Sequence, residues 1–354
     1  MPPRRRKRLD PALFNLPVER MRQGDYSDES AAHTRDVLRA DGATVRVTMQ
    51  ISTMAGGLLG GMDEAIAILK LCADDWADLN VHALYDGDRI QPWETVMTIE
   101  GGYATFAHLE NLCLGVLSRR TRVGTNTRTL VEAARPKSIM FFPAPHDHWL
   151  VQSGDGYAAH IAGALRVTTD AQAKWGGSSG LATVPHGLIA AYHGNTAEAA
   201  RKFSEHLGEG VRLIALVDYE NDSVRTSLEV ARVLDARLWG VRLDTSGQLV
   251  DRSLWTEMGD FDPRGVNERL VRKVRAALDA DGFERVRIVA SGGFTVEKIS
   301  DFERKDVPVD AYGIGSSLIR GQNDFTGDIV MTDGRESAKV GRRYRPNPRL
   351  ELVT

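Results

Sequence analysis

Residues 239–243, Trp-Gly-Val-Arg-Leu, are a mostly apolar run that is followed directly by Asp244. Runs of this kind are typical of strands in a parallel sheet, because helices cover both faces of such a sheet. Similar runs lie between helical stretches elsewhere in the second part of the chain, at 138–142, 213–217, 286–290 and 311–314. Repeated strand–helix units over roughly 200 residues favour a closed barrel over an open sheet. We therefore predict an irregular parallel α/β barrel.

The first part of the chain has a different pattern. Residues 44–51 alternate between apolar and polar side chains, which predicts a strand with one face towards water. Further strands are predicted at 80–85 and 95–100, helices at 62–71 and 106–117, and short strands after Gln322. These segments predict an N-terminal α/β sandwich domain at 1–122, joined by the C-terminal tail 323–354. The barrel domain is then 123–322.

Composition excludes several classes of protein. A formal charge of −3 argues against a general nucleic-acid binder, and two cysteines argue against a disulfide scaffold. No stretch approaches the roughly 18 consecutive apolar residues that predict a membrane span. The basic residues 4–8 precede no apolar segment, so we predict a solvated arm and no secretory signal. The expectation is a cytoplasmic enzyme that binds neither nucleic acid nor membrane.

Two glycine-rich turns follow the last predicted barrel strands. They are 291–294, Ser-Gly-Gly-Phe, and 313–317, Gly-Ile-Gly-Ser-Ser, and each is predicted to precede a helix. Glycine lets backbone N–H groups approach an anion, and a helix N-terminus adds a favourable dipole. Adjacent turns on the last strands of a barrel favour a phosphate site, although two ordinary tight turns would have the same sequence.

Acidic residues also follow predicted strands. Asp218 and Asp244 would lie on the same barrel rim, where a carboxylate could accept ribose hydroxyls or hold Mg²⁺. The alternative for each is a helix N-cap, a role that we assign to Asp222.

Histidines and arginines are the remaining candidates. His186, between Pro185 and Gly187, could be a nucleophile towards phosphate, a proton carrier or a structural residue. His146 and His148 lack a third ligand in a recognisable spacing, which disfavours a metal site. Three arginines at the predicted end of the long helix could bind a pyrophosphate or carboxylate, cap the helix or remain solvated: Arg119, Arg120 and Arg122.

From Gly24 to Arg342 the sequence resembles the type II phosphoribosyltransferases, the nicotinate and quinolinate phosphoribosyltransferase group. Residues 240–247, GVRLDTSG, are similar to the family's GVRLDSGD stretch, and Thr183 to His186 are similar to its GTxxH stretch. Residues 291–293 and 312–315 resemble its two 5-phosphate loops. The spacing of Glu110, Arg119 and Gly124-Thr125 is similar to that of the quinolinate branch, whose matching arginine lies at the active site.

The resemblance implies the fold predicted above and a homodimer whose active sites are completed by the neighbouring subunit. It also implies 5-phosphoribosyl 1-diphosphate and Mg²⁺ as partners, with Asp218 and Asp244 as metal ligands. In the nicotinate branch, ATP phosphorylates the residue that matches His186. The implied catalytic residues are His186, Asp218 and Asp244, and the barrel domain 123–322 is implied to bind the phosphoribosyl group. The implied substrate-binding residues are Arg119, Arg120, Arg242, Ser291, Gly292, Gly293, Gly313 and Gly315. Tyr26 and His148 are further candidates for substrate binding.

Two departures concern the acceptor. The family's Asp-x-Tyr, whose tyrosine stacks on the pyridine ring, corresponds to Asp28-Glu29-Ser30, and the stretch 143–148 carries no arginine. Tyr26, His146 or His148 could substitute.

The predicted reaction is phosphoribosyl transfer to nicotinate with release of pyrophosphate, which feeds NAD synthesis. The alternatives are transfer to quinolinate or another aromatic acid, or a non-catalytic phosphoribosyl-binding homologue. An unrelated barrel aldolase or isomerase would need a catalytic lysine at a strand end, which the predicted strands lack.

Overall fold

A computed structural model describes residues 7–175, 182–207, 211, 213–259 and 261–354. The chain divides into two compact units. The first comprises Met1–Thr125 with Gly321–Thr354, and the second is Asn126–Arg320.

The strands within the described residues, in chain order, are β1 (Arg46–Thr53), β2 (Gly57–Leu58), β3 (Asn80–Ala83), β4 (Arg89–Ile90), β5 (Thr95–Gly102), β6 (Ser138–Phe141), β7 (Arg166–Val167), β8 (Ala182–Val184), β9 (Leu213–Leu216), β10 (Leu238–Leu243), β11 (Arg287–Ala290), β12 (Ala311–Ile314), β13 (Phe325–Thr332), β14 (Arg335–Glu336) and β15 (Glu351–Leu352).

The α-helices within the same residues are α1 (Val18–Gln23), α2 (Glu29–Ala40), α3 (Met62–Cys72), α4 (Tyr103–Phe106), α5 (Glu110–Ala134), α6 (Gln152–Ala162), α7 (Asp170–Ala173), α8 (His186–Ala191), α9 (Thr196–His206), α10 (Ser223–Leu234), α11 (Glu268–Ala280) and α12 (Val296–Arg304). Among these helices, none combines the length and the apolar composition that a bilayer span requires.

The first unit contains a six-stranded antiparallel sheet in the order β14-β13-β1-β5-β3-β15. The C-terminal tail therefore enters the middle of this sheet, because β13 pairs along β1 from Val47 opposite Thr332 to Thr53 opposite Phe325. Ile66 and Leu69 of α3 join Met97 of β5 in one buried cluster. The sheet and its helices are the predicted α/β sandwich.

Helix α5 differs from its prediction. We expected a helix at 106–117 with arginines at its end, but the structure has one 25-residue helix, Glu110–Ala134. Arg119, Arg120 and Arg122 lie inside it, so they do not cap its C-terminus. Two isolated glycines, Gly115 and Gly124, are the only glycines along it, and isolated glycines are tolerated within helices.

The basic N-terminus also differs in part from its prediction. Arg4 to Arg6 lie outside the described residues, but Arg8 is only 14% exposed and donates hydrogen bonds to Asp63 and to backbone carbonyls of Ala83 and Leu84. Its guanidinium lies 3.7 Å from the centre of the Tyr85 ring. Arg8 is therefore a structural residue of the first unit.

The second unit contains a seven-stranded parallel sheet in the order β7-β6-β12-β11-β10-β9-β8. Apart from β7 and β8, strands of this sheet that are consecutive along the chain pair with each other, and β6 also pairs with the last strand of the sheet, β12. The strands thus follow a ring that is open between β7 and β8 in the described part of the chain. The sheet curls into a parallel half-barrel, which confirms the predicted fold class. Since all seven strands are parallel, their C-terminal ends lie on one rim.

Candidate active site

Polar and glycine residues follow the barrel strands at this common rim. His186 follows β8, Asp218 follows β9, Asp244 follows β10, and the glycine turns 291–294 and 313–317 follow β11 and β12. A cavity of about 560 Å³ opens beside both turns and is lined in addition by Phe142, His146, Arg242 and Asp244. The parallel order therefore brings residues that are far apart in sequence to one site.

Arg242, Asp244 and Ser291 form a closed set of hydrogen bonds at the edge of this cavity. Nε of Arg242 donates to the Ser291 hydroxyl at 2.7 Å, and Nη2 donates to Oδ2 of Asp244 at 3.1 Å. The Ser291 hydroxyl in turn lies 2.7 Å from Oδ1 of Asp244 and donates to it. Each side chain therefore fixes the other two, and the guanidinium also lies 4.6 Å from the centre of the Phe142 ring.

The two turns require glycine for different physical reasons. Gly292 and Gly293 have φ of +84° and +76°, a region that favours glycine. A Cβ on Gly293 would meet no atom within 4 Å, so this backbone faces open space. A Cβ on Gly313 would lie 2.4 Å from the Phe142 ring, and one on Gly315 would lie 2.6 Å from Nε2 of His146. These two glycines make room for side chains of the protein itself.

The first turn leads into helix α12, whose N-cap residue Thr295 accepts a hydrogen bond from the backbone N–H of Lys298. The second turn does not lead into an α-helix, contrary to the prediction. It is followed by a single 3₁₀ turn, Ser316–Leu318. The helix-dipole argument for anion binding therefore holds for the first turn, whereas the second would contribute through its backbone and hydroxyl groups.

His186 and Asp218 form the second polar pair of the rim. Nε2 of His186 lies 3.0 Å from Oδ1 of Asp218. The histidine side chain is 44% exposed and the aspartate 10%. The hydrogen bond with Asp218 raises the pKa of His186, and the charge of Asp244 acts in the same direction while Arg242 opposes it. His186 is thus within electrostatic range of the Arg242–Asp244 pair.

The two aspartates have a limited capacity for a metal ion. Oδ1 of Asp218 is engaged with His186, and both carboxylate oxygens of Asp244 accept hydrogen bonds. Within the described ranges, no group of three or more histidine, cysteine, aspartate or glutamate side chains is placed to hold a metal. Mg²⁺ is usually bound through one or two carboxylates together with substrate phosphates and waters. An ion at these two aspartates would therefore have to be completed by phosphate and water ligands.

Three of the predicted substrate-binding residues lie in the first unit. Arg120 is buried and forms an ion pair with Glu64, with Nε 2.9 Å from Oε2. Arg119 is in helix α5, and the exposed Tyr26 ring lies 5.0 Å from the Arg20 guanidinium.

The two histidines after β6 have separate environments. Nδ1 of His148 accepts the backbone N–H of Leu150 at 3.2 Å and so caps the following turn. His146 lines the rim cavity. Asp222 caps helix α10 by accepting the N–H of Arg225, which confirms that prediction.

Sequence reasoning missed other cavity residues. The Phe142 ring lies against the Arg242 guanidinium and occupies the space beside Gly313. In the sequence, Phe142 was recognised only as the end of a predicted strand. Thr168 and Thr169 also line the cavity and follow β7, which has only two residues. A strand this short carries no periodic signal, so its polar end could not be recognised.

Comparison with known proteins agrees with this arrangement. Residues 34–121 match the family described as quinolinate phosphoribosyl transferase, N-terminal domain. The crystal structure of nicotinate-nucleotide pyrophosphorylase from Pyrococcus furiosus superposes with a TM-score of 0.80, and 29% of the residues are identical. The superposition covers 98% of this chain and 86% of that one. These similarities support a relationship to the type II phosphoribosyltransferases.

Proteins named nicotinate phosphoribosyltransferase resemble the chain over shorter parts. Nicotinate phosphoribosyltransferase pncB1 of Mycobacterium tuberculosis is 29% identical over 252 residues, which are 69% of this chain and 51% of that protein. The Bacillus subtilis nicotinate phosphoribosyltransferase is 22% identical over 241 residues, 67% of this chain and 45% of that protein. The chain thus spans about half the length of these relatives. Human nicotinic acid phosphoribosyltransferase, at 16% identity and a TM-score of 0.64, shares the fold, with 88% of this chain and 75% of that chain covered.

Proposed function

We propose that this protein transfers the phosphoribosyl group of 5-phosphoribosyl 1-diphosphate to nicotinate, releasing pyrophosphate and feeding NAD synthesis. The observation that carries the proposal is the position of the Arg242–Asp244–Ser291 set beside both glycine turns in one cavity. Nicotinate as acceptor is supported by the names of the Mycobacterium tuberculosis and Bacillus subtilis relatives.

In this proposal the glycine turns bind the 5-phosphate. The backbone at Gly293 borders open space, so N–H groups and the N-terminus of α12 could approach an anion there. Asp244 and Arg242 would hold the ribose. Because their mutual hydrogen bonds fix both side chains before the substrate binds, little reorganisation would accompany the reaction.

The acceptor's ring nitrogen would form a bond to C1 of the ribose while the bond from C1 to the pyrophosphate oxygen breaks. The protein's contribution would be to align the two reactants. Mg²⁺, held by Asp218 and Asp244 together with phosphate oxygens, would supply charge neutralisation for the pyrophosphate that leaves.

His186 is proposed as the residue that ATP phosphorylates. Its Nε2 is bound to Asp218, and within the described residues no side chain or backbone group hydrogen-bonds to its Nδ1. That nitrogen could attack the terminal phosphorus of ATP, with ADP as the leaving group. Asp218 would orient the ring and stabilise its positive charge.

The protein is further proposed to act in the cytoplasm as a homodimer in which the neighbouring subunit completes each active site, without nucleic-acid or membrane partners. Exposed apolar residues in the second unit support an assembly. Trp149 is 69% exposed, and Leu150 and Leu165 are also exposed. Trp149 and Leu150 are adjacent in the sequence, and contiguous exposed apolar surface often marks a contact surface.

A second acceptor class is favoured by one observation. Arg242 is the one arginine among the described residues that line the cavity, and it is already paired with Asp244. The described lining thus offers no unpaired arginine for the nicotinate carboxylate, so another aromatic acid is the second candidate acceptor. Quinolinate, which carries two carboxylates, would need still more positive charge. A non-catalytic phosphoribosyl-binding protein would instead bind the donor without turnover.

A panel of aromatic acids separates these candidates. Each acid would be incubated with the protein, 5-phosphoribosyl 1-diphosphate, Mg²⁺ and ATP, and pyrophosphate itself would be quantified, because ATP turnover also yields phosphate. Pyrophosphate release with nicotinate alone supports nicotinate as the acceptor. Pyrophosphate release with a different acid would identify that acid as the acceptor. Donor binding by calorimetry with no release on any acid would support the non-catalytic alternative. The same assay without ATP tests whether His186 phosphorylation is coupled to transfer.

A further inference from the structure

His146 lies against the second glycine turn of the cavity. The position that a Cβ of Gly315 would take is 2.6 Å from Nε2 of His146 and 2.8 Å from its Cδ2. A side chain at position 315 would therefore collide with the imidazole, which explains why this residue is glycine. His146 belongs to the same cavity as both turns and comes from the 3₁₀ turn Ala144–His146 after β6.

The cavity has little spare positive charge for a phosphate. Arg242 and Asp244 are the charged side chains among its described lining residues, and they pair with each other. The hydroxyl groups are also largely engaged. Ser317 donates to the carbonyl of Phe294, Thr168 lies 3.2 Å from Oε1 of Gln172, and Thr169 lies 3.1 Å from Oε1 of Gln152. A dianionic phosphate in this cavity would need a further donor.

The His146 imidazole is available for this role. Its side chain is exposed, and neither ring nitrogen makes a hydrogen bond to another described residue. An imidazole donates an N–H to phosphate whether neutral or protonated, and the protonated form adds a charge.

Resting on the proposed function, we propose that His146 is a phosphate-binding residue that donates to the 5-phosphate beside the Gly313–Gly315 turn. This assigns His146 to the phosphate end of the donor. Recognition of the acceptor's carboxylate would have to come from other residues. The histidine would then supply a hydrogen-bond donor in addition to the backbone N–H groups of the glycine turns.

Calorimetry with ribose 5-phosphate tests this assignment, because the probe carries the phosphate but neither the pyrophosphate nor the acceptor. For His146→Ala we expect affinity about tenfold lower, the usual size of a lost hydrogen bond to a charged group. For His146→Lys we expect affinity near the wild-type value, since an ammonium can also bind phosphate. His160→Ala is the matched control, because His160 is exposed at the end of α6 and does not line the cavity.

Steady-state kinetics with the same variants provide the second readout. We expect His146→Ala to raise the KM for the donor while the KM for the acceptor is unchanged. Unaltered ribose 5-phosphate affinity in His146→Ala, or a rise confined to the acceptor's KM, would overturn the assignment of His146 alone. If the wild-type protein binds no ribose 5-phosphate, the assignment of His146 fails, whereas the proposed function is judged separately by mononucleotide formation.

Discussion

Nε2 of His186 and Oδ1 of Asp218 lie 3.0 Å apart at the ends of neighbouring parallel strands. The two residues are 32 positions apart in sequence, and the pairing of β8 with β9 brings them together. Because Asp218 is mostly buried and His186 is 44% exposed, the imidazole is the solvent-accessible member of the pair. This arrangement makes the protonation of His186 dependent on Asp218.

Replacing Asp218 with asparagine should lower the pKa of His186. The carboxylate stabilises the imidazolium, and this hydrogen bond is the largest cause of the raised pKa. Titration of the His186 ring by NMR in wild-type and Asp218→Asn protein measures the difference. Asp222→Asn, which removes a carboxylate that does not contact His186 and keeps a helix-capping side chain, is the control. Equal His186 titration in all three proteins would contradict the electrostatic role of Asp218.

The same pair predicts a pH dependence of stability. Since the folded pKa of His186 is raised, the pair's contribution is complete below the unfolded value of about 6.5 and is lost as pH rises through the folded pKa. The difference in unfolding free energy between wild type and Asp218→Asn should therefore shrink as pH rises through this window. Urea unfolding at several pH values tests the direction, and a difference that grows with pH would show the sign to be wrong.

His186→Ala should abolish ATP coupling while donor binding survives. The imidazole would carry the phosphoryl group from ATP, whereas the sugar phosphate is held by other residues. ATP hydrolysis in the presence of donor and acceptor, together with donor calorimetry, measures both properties. His206→Ala, an exposed position at the end of α9, is the matched control. Hydrolysis at the wild-type rate in His186→Ala would remove this assignment.

Gly293→Ala should weaken donor binding more than its effect on folding explains. The residue has φ of +76°, so alanine costs about 1 kcal/mol of backbone strain there, and its methyl group would enter the open cavity. Gly282→Ala provides a matched control. Gly282 has φ of +81° and equally open surroundings, but it lies in the turn after α11.

Thermal unfolding and donor calorimetry on both glycine variants separate strain from binding. Similar losses of stability with donor affinity reduced only in Gly293→Ala would support a phosphate site. Unchanged donor affinity in Gly293→Ala would identify the first turn as an ordinary tight turn. Gly315 and Gly313 are unsuitable for this comparison, because a side chain there would collide with His146 or Phe142.

Ser291→Ala should reduce donor affinity by about tenfold, because it removes the hydroxyl that joins Arg242 to Asp244. It should also destabilise the fold by roughly 1–3 kcal/mol through the partners left unpaired. Ser227→Ala is the control for loss of a buried hydroxyl, since Ser227 donates to the carbonyl of Ser223 within α10. Donor affinity that falls equally in both variants would argue against a specific role for the Arg242–Asp244–Ser291 set.

The fold was accessible from the sequence because the longer barrel strands are nearly continuous apolar runs. Residues 239–243 were predicted as a strand, and β10 is Leu238–Leu243. The apolar pattern also located the carboxyl end of this strand, and thereby Asp244. By contrast, β7 and β8 have two and three residues, which is too short for a periodic pattern.

The contacts within the site were harder to predict from the sequence. Asp244 and Ser291 are 47 positions apart, and their hydrogen bond depends on the register of β10 beside β11. Similarly, nothing in the sequence near Gly315 indicates that His146 occupies the space beside it. The residue types were recognisable at the strand ends, but their pairing is a property of the folded sheet.

We claim that phosphoribosyl transfer takes place at the rim cavity. Formation of nicotinate mononucleotide is the direct test of this claim. Purified protein would be incubated with nicotinate, 5-phosphoribosyl 1-diphosphate, Mg²⁺ and ATP, and the mononucleotide and pyrophosphate would be quantified together. We predict equal amounts of the two products from the wild-type protein. The Arg242→Met variant should form much less of both, because methionine cannot donate hydrogen bonds to Asp244 and Ser291. Absence of both products from folded wild-type protein would contradict the claim.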